Sequence, residues 1–166
     1  MVLVIIGPMG CGKSTIGIML AHRLGWDFED GDDYHPPENV EKMRAGIALD
    51  DSDRQGWLNT LRTRIDDRLE RDEHLILACS ALKQSYRQIL GIDQRTVISV
   101  YLKGTVELLE ERLRSRHHQY MNNGLLTSQV QTMEEPQGGI IIDIDQSPES
   151  ICSEIIEQLK PYGYIS

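Results

Sequence analysis

Apolar positions along the chain fall into two kinds of pattern. Short, nearly continuous runs at Val2–Ile6, Leu75–Cys79, Val97–Leu102 and Ile140–Ile144 read as strands covered on both faces. Asp27–Asp30 is a weaker strand of the same series. Between the runs, apolar residues recur at helical spacing. Ile16, Met19, Leu20 and Leu24 form one stripe, and Trp57, Leu58, Leu61, Ile65 and Leu69 a second. Val106, Leu109 and Leu113 form a third, and Ile151, Ile155, Ile156 and Leu159 the last. Ser147 followed by Pro148 supplies the last helix with an N-cap and a proline at its first position. Strands alternating with helices predict an α/β fold with a parallel sheet covered by helices on both faces. Two stretches exceed a short connection, about 32–52 after the second strand and about 116–139 before the fifth. Ligands of parallel sheets bind beyond the carboxyl ends of the strands, so both insertions are placed to reach one.

The junction of the first strand and first helix carries the most specific chemistry. Gly7-Pro8-Met9-Gly10-Cys11-Gly12-Lys13-Ser14, followed by Thr15, fits the phosphate-binding pattern G-x-x-x-x-G-K-[ST]. Its glycines let backbone N–H groups turn toward phosphate oxygens, and the helix N-terminus adds its positive dipole. Lys13 is expected to reach the β- and γ-phosphates of ATP, and the Ser14 hydroxyl to ligate Mg²⁺. A plain glycine turn requires neither Lys13 nor Ser14. Cys11 within the loop has two readings, a small tolerated residue or a thiol whose pKa the helix N-terminus lowers.

With 166 residues the chain is expected to form a single domain spanning 1–166, with a core that needs no staples. The net charge of −9 disfavours nucleic acid and anionic membranes as partners, so an anionic ligand must be held by local cations. Three scattered cysteines without metal-ligand spacing suit a reduced, cytoplasmic setting. The N-terminal apolar run is too short for a membrane span and leads straight into the phosphate loop.

A phosphate loop is shared by kinases, GTPase switches and motors. No guanine-reading N-K-x-D segment is present, and the D-x-x-G match at Asp53–Gly56 follows no apolar strand, which favours a small-molecule kinase. Asp30-Gly31-Asp32-Asp33-Tyr34-His35 lies just past a strand end. Asp32 is the candidate base for an acceptor hydroxyl, with Mg²⁺ binding as a second role and an acidic helix cap as the plainer one. His35 either donates to a substrate hydroxyl or fixes the loop. Arg54 stands in the first turn of a helix, where the macrodipole opposes a cation. It either holds a substrate carboxylate or pairs with a neighbouring aspartate. Lys83, after the third strand, either binds acceptor or phosphate or is a solvated lysine at a helix start. Arg112 and Arg116 are side by side on one helix, an arrangement that a shared polyphosphate would relieve and that a helix C-terminus also favours. The polar segment after Arg116 reads as a lid that excludes water.

Taken together, these segments resemble the gluconokinase family within the shikimate-kinase-like phosphate-loop kinases. The resemblance runs through the phosphate loop, Asp30-Gly31-Asp32 with His35-Pro36, Asn39 with Lys42-Met43, Asp53-Arg54, Trp57-Leu58, Cys79–Lys83 and Tyr86-Arg87. It continues through Lys103-Gly104, Arg112-Leu113, Leu125-Leu126, Ser128-Gln129, Glu135-Pro136 and Asp143-Ile144-Asp145. It implies a three-layer α/β/α phosphate-loop NTPase fold, like that of nucleoside monophosphate kinases, with a five-stranded parallel sheet and a lid. It further implies ATP-dependent phosphorylation of D-gluconate at its 6-hydroxyl, with Mg²⁺, and often a homodimer. Three departures stand out: Met9 and Cys11 replace serines of the pattern, His118-Gln119-Tyr120 replaces Gly-His-Phe in the lid, and Gly56 replaces a proline.

Overall fold

The computed structural model describes residues 1–116 and 123–164. Five strands, β1 (Val2–Ile6), β2 (Asp27–Asp30), β3 (Leu75–Ala78), β4 (Val97–Lys103) and β5 (Ile140–Asp143), pair in the order β2-β3-β1-β4-β5. Every pairing is parallel, from Asp30 beside Ala78 at one edge to Lys103 beside Asp143 at the other. The described helices are α1 (Lys13–Leu24), α2 (Pro37–Arg44), α3 (Asp51–Glu70), α4 (Gln84–Leu90), α5 (Val106–Arg116), α6 (Asn123–Thr132) and α7 (Pro148–Leu159). The strands expected from the sequence are all present, with ends moved by at most one residue. Among the described residues no helix is long and apolar enough to cross a membrane.

The continuous apolar runs are explained by the layers. All five side chains of β1 are fully buried. Leu3 and Ile5 face a cluster built with Ile16 and Leu20 of α1, Leu109 of α5, and Ile151 and Ile155 of α7. Val2, Val4 and Ile6 face the other layer, with Trp57, Leu58, Leu61 and Ile65 of α3 and Leu90 of α4. A strand with a core on each side has no position left for a polar residue. Each fully buried Leu or Ile contributes roughly 1.5–3 kcal/mol relative to exposure.

Helix starts differ in a way that matters for the site. Asp50 caps α3 and forms a reciprocal capping box with Asp53. Ser147 caps α7, with Pro148 following, as the sequence indicated. α1 begins differently: its cap is Gly12 at φ 97°, no side chain caps it, and its first turn holds no acidic residue. Its first-turn N–H groups thus lack a side-chain acceptor, which suits an external anion.

The carboxyl ends of the strands are held close together. Cys79 N–H donates to the Ile5 carbonyl (3.0 Å) and Gly7 N–H to the Ser80 carbonyl (3.2 Å), joining the ends of β1 and β3. β2 runs into a short 3-10 turn at Gly31–Tyr34, capped by the Asp30 side chain. A Cβ on Gly31 would stand 2.6 Å from the Ala78 carbonyl oxygen, a backbone atom that cannot swing away. Arg87, almost fully buried, donates to the carbonyls of Ala81 (2.9 Å) and Leu82 (3.0 Å) and to that of Glu134 beyond α6. It thereby ties the β3–α4 connection to the chain that follows α6.

The close approach at Gly31 has a direct test. Gly31→Ala is expected to lower unfolding free energy in urea by about 1–3 kcal/mol, the usual size of a forced steric shift. An unchanged urea midpoint would show that the end of β2 is free to move away from β3.

Candidate active site

A cavity of about 330 Å³ opens at the carboxyl edge of the sheet, within the size range of small-ligand sites. The phosphate loop contributes Met9, Gly10, Gly12, Lys13 and Ser14. Asp30, Asp32, Asp33 and His35 come from the end of β2 and the turn after it, and Arg54 and Trp57 from the start of α3. Ser80 follows β3, and Ser128 and Gln129 come from α6. The 32–52 insertion adds Val40 and Met43 of α2 with Ala48 and Leu49, giving one wall of the cavity an apolar character.

At the loop, Lys13 Nζ donates to the carbonyls of Gly7 (3.0 Å) and Pro8 (3.3 Å), which holds the ammonium across the loop's opening strand-side arm. Ser14 Oγ donates to Asp30 Oδ2 at 2.7 Å. The carboxylate beside the expected Mg²⁺ hydroxyl is therefore Asp30, whereas the sequence reading gave that role to Asp32. The separation follows from the turn: Asp30 ends β2 facing α1, while Asp32 stands two residues on with a largely exposed carboxylate. A hydroxyl and a carboxylate in contact are hard oxygen donors of the kind Mg²⁺ takes alongside water and phosphate.

His35 is held from three sides. Its ring stacks on Trp57, with centroids 4.0 Å apart at 16°, and Trp57 Nε1 donates to the Gly31 carbonyl at 2.7 Å. Asn39 Nδ2 donates to the Asp53 carbonyl (2.9 Å) and lies 3.2 Å from His35 Nδ1. An amide nitrogen only donates, so Nδ1 accepts and the ring proton sits on Nε2, 3.6 Å from Asp32 Oδ1. Burial, reinforced by the Arg54 charge and partly opposed by Asp30, pushes the imidazole down to about 4. His35 is thus a neutral Nε2–H donor beside the candidate base.

Arg54 is buried, and its Nη1 donates to the Tyr86 hydroxyl at 2.9 Å. The neighbouring aspartates have other partners. Asp50 and Asp53 cap α3, Asp53 also takes Lys42 Nζ at 2.8 Å, and Asp51 takes Lys83 and Tyr86. The arginine therefore faces the cavity without the aspartate pairing that was its plainer alternative.

Other expected residues sit apart from the cavity wall. Lys83 stands at the N-cap of α4, just past a left-handed residue at Ala81 (φ 40°), and pairs with Asp51 at 3.1 Å. Gly7, Pro8, Cys11 and Thr15 belong to the loop but do not line the cavity. Arg112 lies over the loop: its Nη1 would be 3.7 Å from a Cβ on Gly12, and its Nη2 donates to the Ile144 carbonyl at 2.6 Å. Burial pushes the Cys11 thiol pKa up, overriding the lowering by Lys13, so the reading of a reactive loop thiol is withdrawn. The side chain of Arg116 and the lid residues His117, His118, Gln119 and Tyr120 lie outside the described residues.

Three contributors were not given roles from the sequence. Trp57 read as core and is also the floor under His35. Asn39 fixes the imidazole tautomer. Gln129 of α6 accepts from the Met9 N–H at 2.7 Å, joining the lid side to the phosphate loop. Asn39 and Gln129 stand in the segments that carried the family resemblance, and that is the signal that pointed to them.

A glycine-rich loop with Lys and Ser at an uncapped helix, facing an acidic turn across one cavity on a parallel sheet, defines a phosphate-loop kinase. The shikimate kinase family model matches residues 9–160. The gluconokinase of Arabidopsis thaliana is 39% identical, over 95% of this chain and 92% of its own. The thermoresistant gluconokinase of Escherichia coli (strain K12) is 34% identical, over 96% and 93%. The crystal structure of a gluconokinase from Sinorhizobium meliloti 1021 superimposes with a TM-score of 0.85 at 36% identity, over 96% of this chain and 91% of that one. The chain belongs to the shikimate kinase family and, within it, to the gluconokinases.

The state of His35 sets a pH dependence. A folded pKa near 4 against about 6.5 unfolded means that the native state binds fewer protons between those values. Its contribution to stability is present above about pH 6.5 and is lost as pH falls toward 4. Urea unfolding of wild type and His35→Gln across this window is expected to show the steeper acid loss in wild type. Parallel profiles would mean that the imidazole is not held neutral.

Proposed function

We propose that this enzyme transfers the γ-phosphoryl group of ATP to the 6-hydroxyl of D-gluconate, giving 6-phospho-D-gluconate and ADP. The observation that carries this is the composition of the cavity at the carboxyl edge of the sheet. A phosphate loop forms one side, and a carboxylate, a neutral imidazole donor and an unneutralised guanidinium form the other. A sugar acid presents hydroxyls to Asp32 and His35 and a carboxylate to Arg54.

In the reaction the acceptor hydroxyl attacks the γ-phosphorus as the bond to the β-phosphate oxygen breaks. The hydroxyl proton passes to Asp32, whose carboxylate stands 3.6 Å from His35 Nε2. Lys13 and the N–H groups at the start of α1 hold the charge that spreads over the phosphoryl oxygens. Ser14 and Asp30 would hold Mg²⁺, which would supply charge neutralisation for the phosphates. Arg112, tied to the Ile144 carbonyl above Gly12, and Arg116 are assigned to the polyphosphate from the α5 side. Of the residues first assigned to the acceptor, Asp32, His35 and Arg54 keep that role, while Lys83 acts at one remove through Asp51. Assembly as a homodimer in the cytoplasm belongs to the same reading.

The test is acceptor-dependent ADP release with ATP and Mg²⁺, comparing D-gluconate with other sugar acids, shikimate and nucleoside monophosphates. Release specific to D-gluconate is expected, and a different preferred acceptor would overturn the substrate assignment. Lys13→Ala is expected to lower turnover at least about a hundred-fold, as loss of a transition-state donor does. Asp32→Asn is expected to keep ATP binding, read by calorimetry, and to lose transfer. Near-wild-type turnover in either variant would remove that residue from the mechanism.

A further inference from the structure

Arg54 presents a physical problem that the structure resolves through residues outside the cavity wall. An arginine meant for a substrate carboxylate must be held rigidly, yet any protein carboxylate that held it would also cancel its charge. A guanidinium in the first turn of a helix is further disfavoured by the macrodipole. In this chain the group that holds Arg54 is a neutral hydroxyl. We propose that Tyr86 is a positioning residue for acceptor recognition: its hydroxyl, fixed by Asp51 and Lys83, aims the Arg54 guanidinium into the cavity without neutralising it, and so sets selectivity for acid over neutral acceptors.

The geometry runs in one direction. Tyr86 OH donates its single proton to Asp51 Oδ1 in a short hydrogen bond. Its lone pairs are then available to accept from Arg54 Nη1 at 2.9 Å. Asp51 also takes Lys83 Nζ at 3.1 Å, so its direct ion pair is with the lysine, and Arg54 acts on it only from a distance. The Arg54 guanidinium lies 5.3 Å and the Lys83 ammonium 5.6 Å from the Tyr86 ring centroid, so both cations lie near the same tyrosine ring. Tyr86 is 3% exposed and packed in the α3–α4 layer, so its ring is fixed by the core. The titration behaviour agrees. Burial pushes the phenol up, keeping it a donor, while the bonds from Tyr86 and Lys83 hold the Asp51 carboxyl low, keeping it an acceptor. The Arg54 charge is felt in the cavity, where it helps depress His35. The arrangement also accounts for Lys83, which pairs with Asp51 and does not line the cavity.

The inference rests on the proposed acceptor class, so the experiment carries one readout that does not depend on activity. Tyr86→Phe keeps the packed ring and removes only the hydroxyl. It is expected to raise KM for D-gluconate about ten-fold, the worth of one charge-assisted hydrogen bond, with kcat and KM for ATP within about three-fold. The effect should disappear in an Arg54→Ala background, because both changes act on the same contact. Asp51→Asn, which keeps an acceptor but lowers its charge, should give a smaller rise in the same direction. By NMR titration in the absence of substrates, Tyr86→Phe should raise the His35 pKa as the guanidinium is released; Asp32 and Asp30, the carboxylates facing that ring, remain in place. An unchanged His35 titration with an unchanged gluconate KM would overturn the positioning role. A shifted His35 titration in a protein that ignores sugar acids would keep the positioning of Arg54 and overturn the acceptor selectivity together with the proposed substrate.

Discussion

The site depends on the parallel pairing of β1 between β3 and β4. Parallel strands put all their carboxyl ends on one edge, so the loops after β1, β2 and β3 must converge there. The phosphate loop, the acidic turn and Ser80 meet because those ends are fastened, through Cys79 to Ile5 and Gly7 to Ser80. The approach of β2 to β3 at Gly31 then fixes how far Asp30 and Asp32 stand from Ser14 and Lys13. Misplacing reacting groups by a fraction of an ångström costs rate steeply, so a rigid sheet edge suits chemistry that rests on positioning.

Around that edge, charges are kept in their reactive state by deliberate choice of partner. The start of α1 has no capping side chain and no acid in its first turn, whereas the structural helix α3 has a full capping box. His35 is buried against Trp57, bonded by Asn39 and near the Arg54 charge, and it remains a neutral imidazole next to Asp32. Arg54 is held by a phenol. Among the described residues the start of α1 has no capping side chain and Arg54 no carboxylate partner, at a cost in stability that the two apolar layers offset.

Much of this was legible in the sequence. The runs Val2–Ile6 and Leu75–Ala78 announced strands buried on both faces because a doubly covered strand excludes polar residues. The phosphate loop was legible because its chemistry is local: eight consecutive positions carry the turn, the lysine and the hydroxyl. Asp32 and His35 drew notice as polar residues just past a strand end and Arg54 as a cation in a first helical turn, and all three line the cavity. Trp57 was read as core alone, since a helical stripe does not reveal which member also lines a cavity. The contact of Ser14 with Asp30 was not legible, because which of two aspartates two positions apart meets the hydroxyl depends on which one the strand turns toward α1.

What the sequence by itself determined is whatever depends on near neighbours: element type from periodicity, caps from short polar motifs, and the phosphate loop from its own spacing. Only the tertiary structure decided the assignments that join distant segments. Ser14 to Asp30, Asn39 to Asp53 and His35, Gln129 to Met9, and Lys83 through Asp51 and Tyr86 to Arg54 are contacts of this kind. The reason is that a hydrogen bond is resolved to tenths of an ångström, while periodicity places a side chain only on a face. Which carboxylate meets the hydroxyl, and which lysine stands one residue removed from the ligand, is settled when sheet and helices pack.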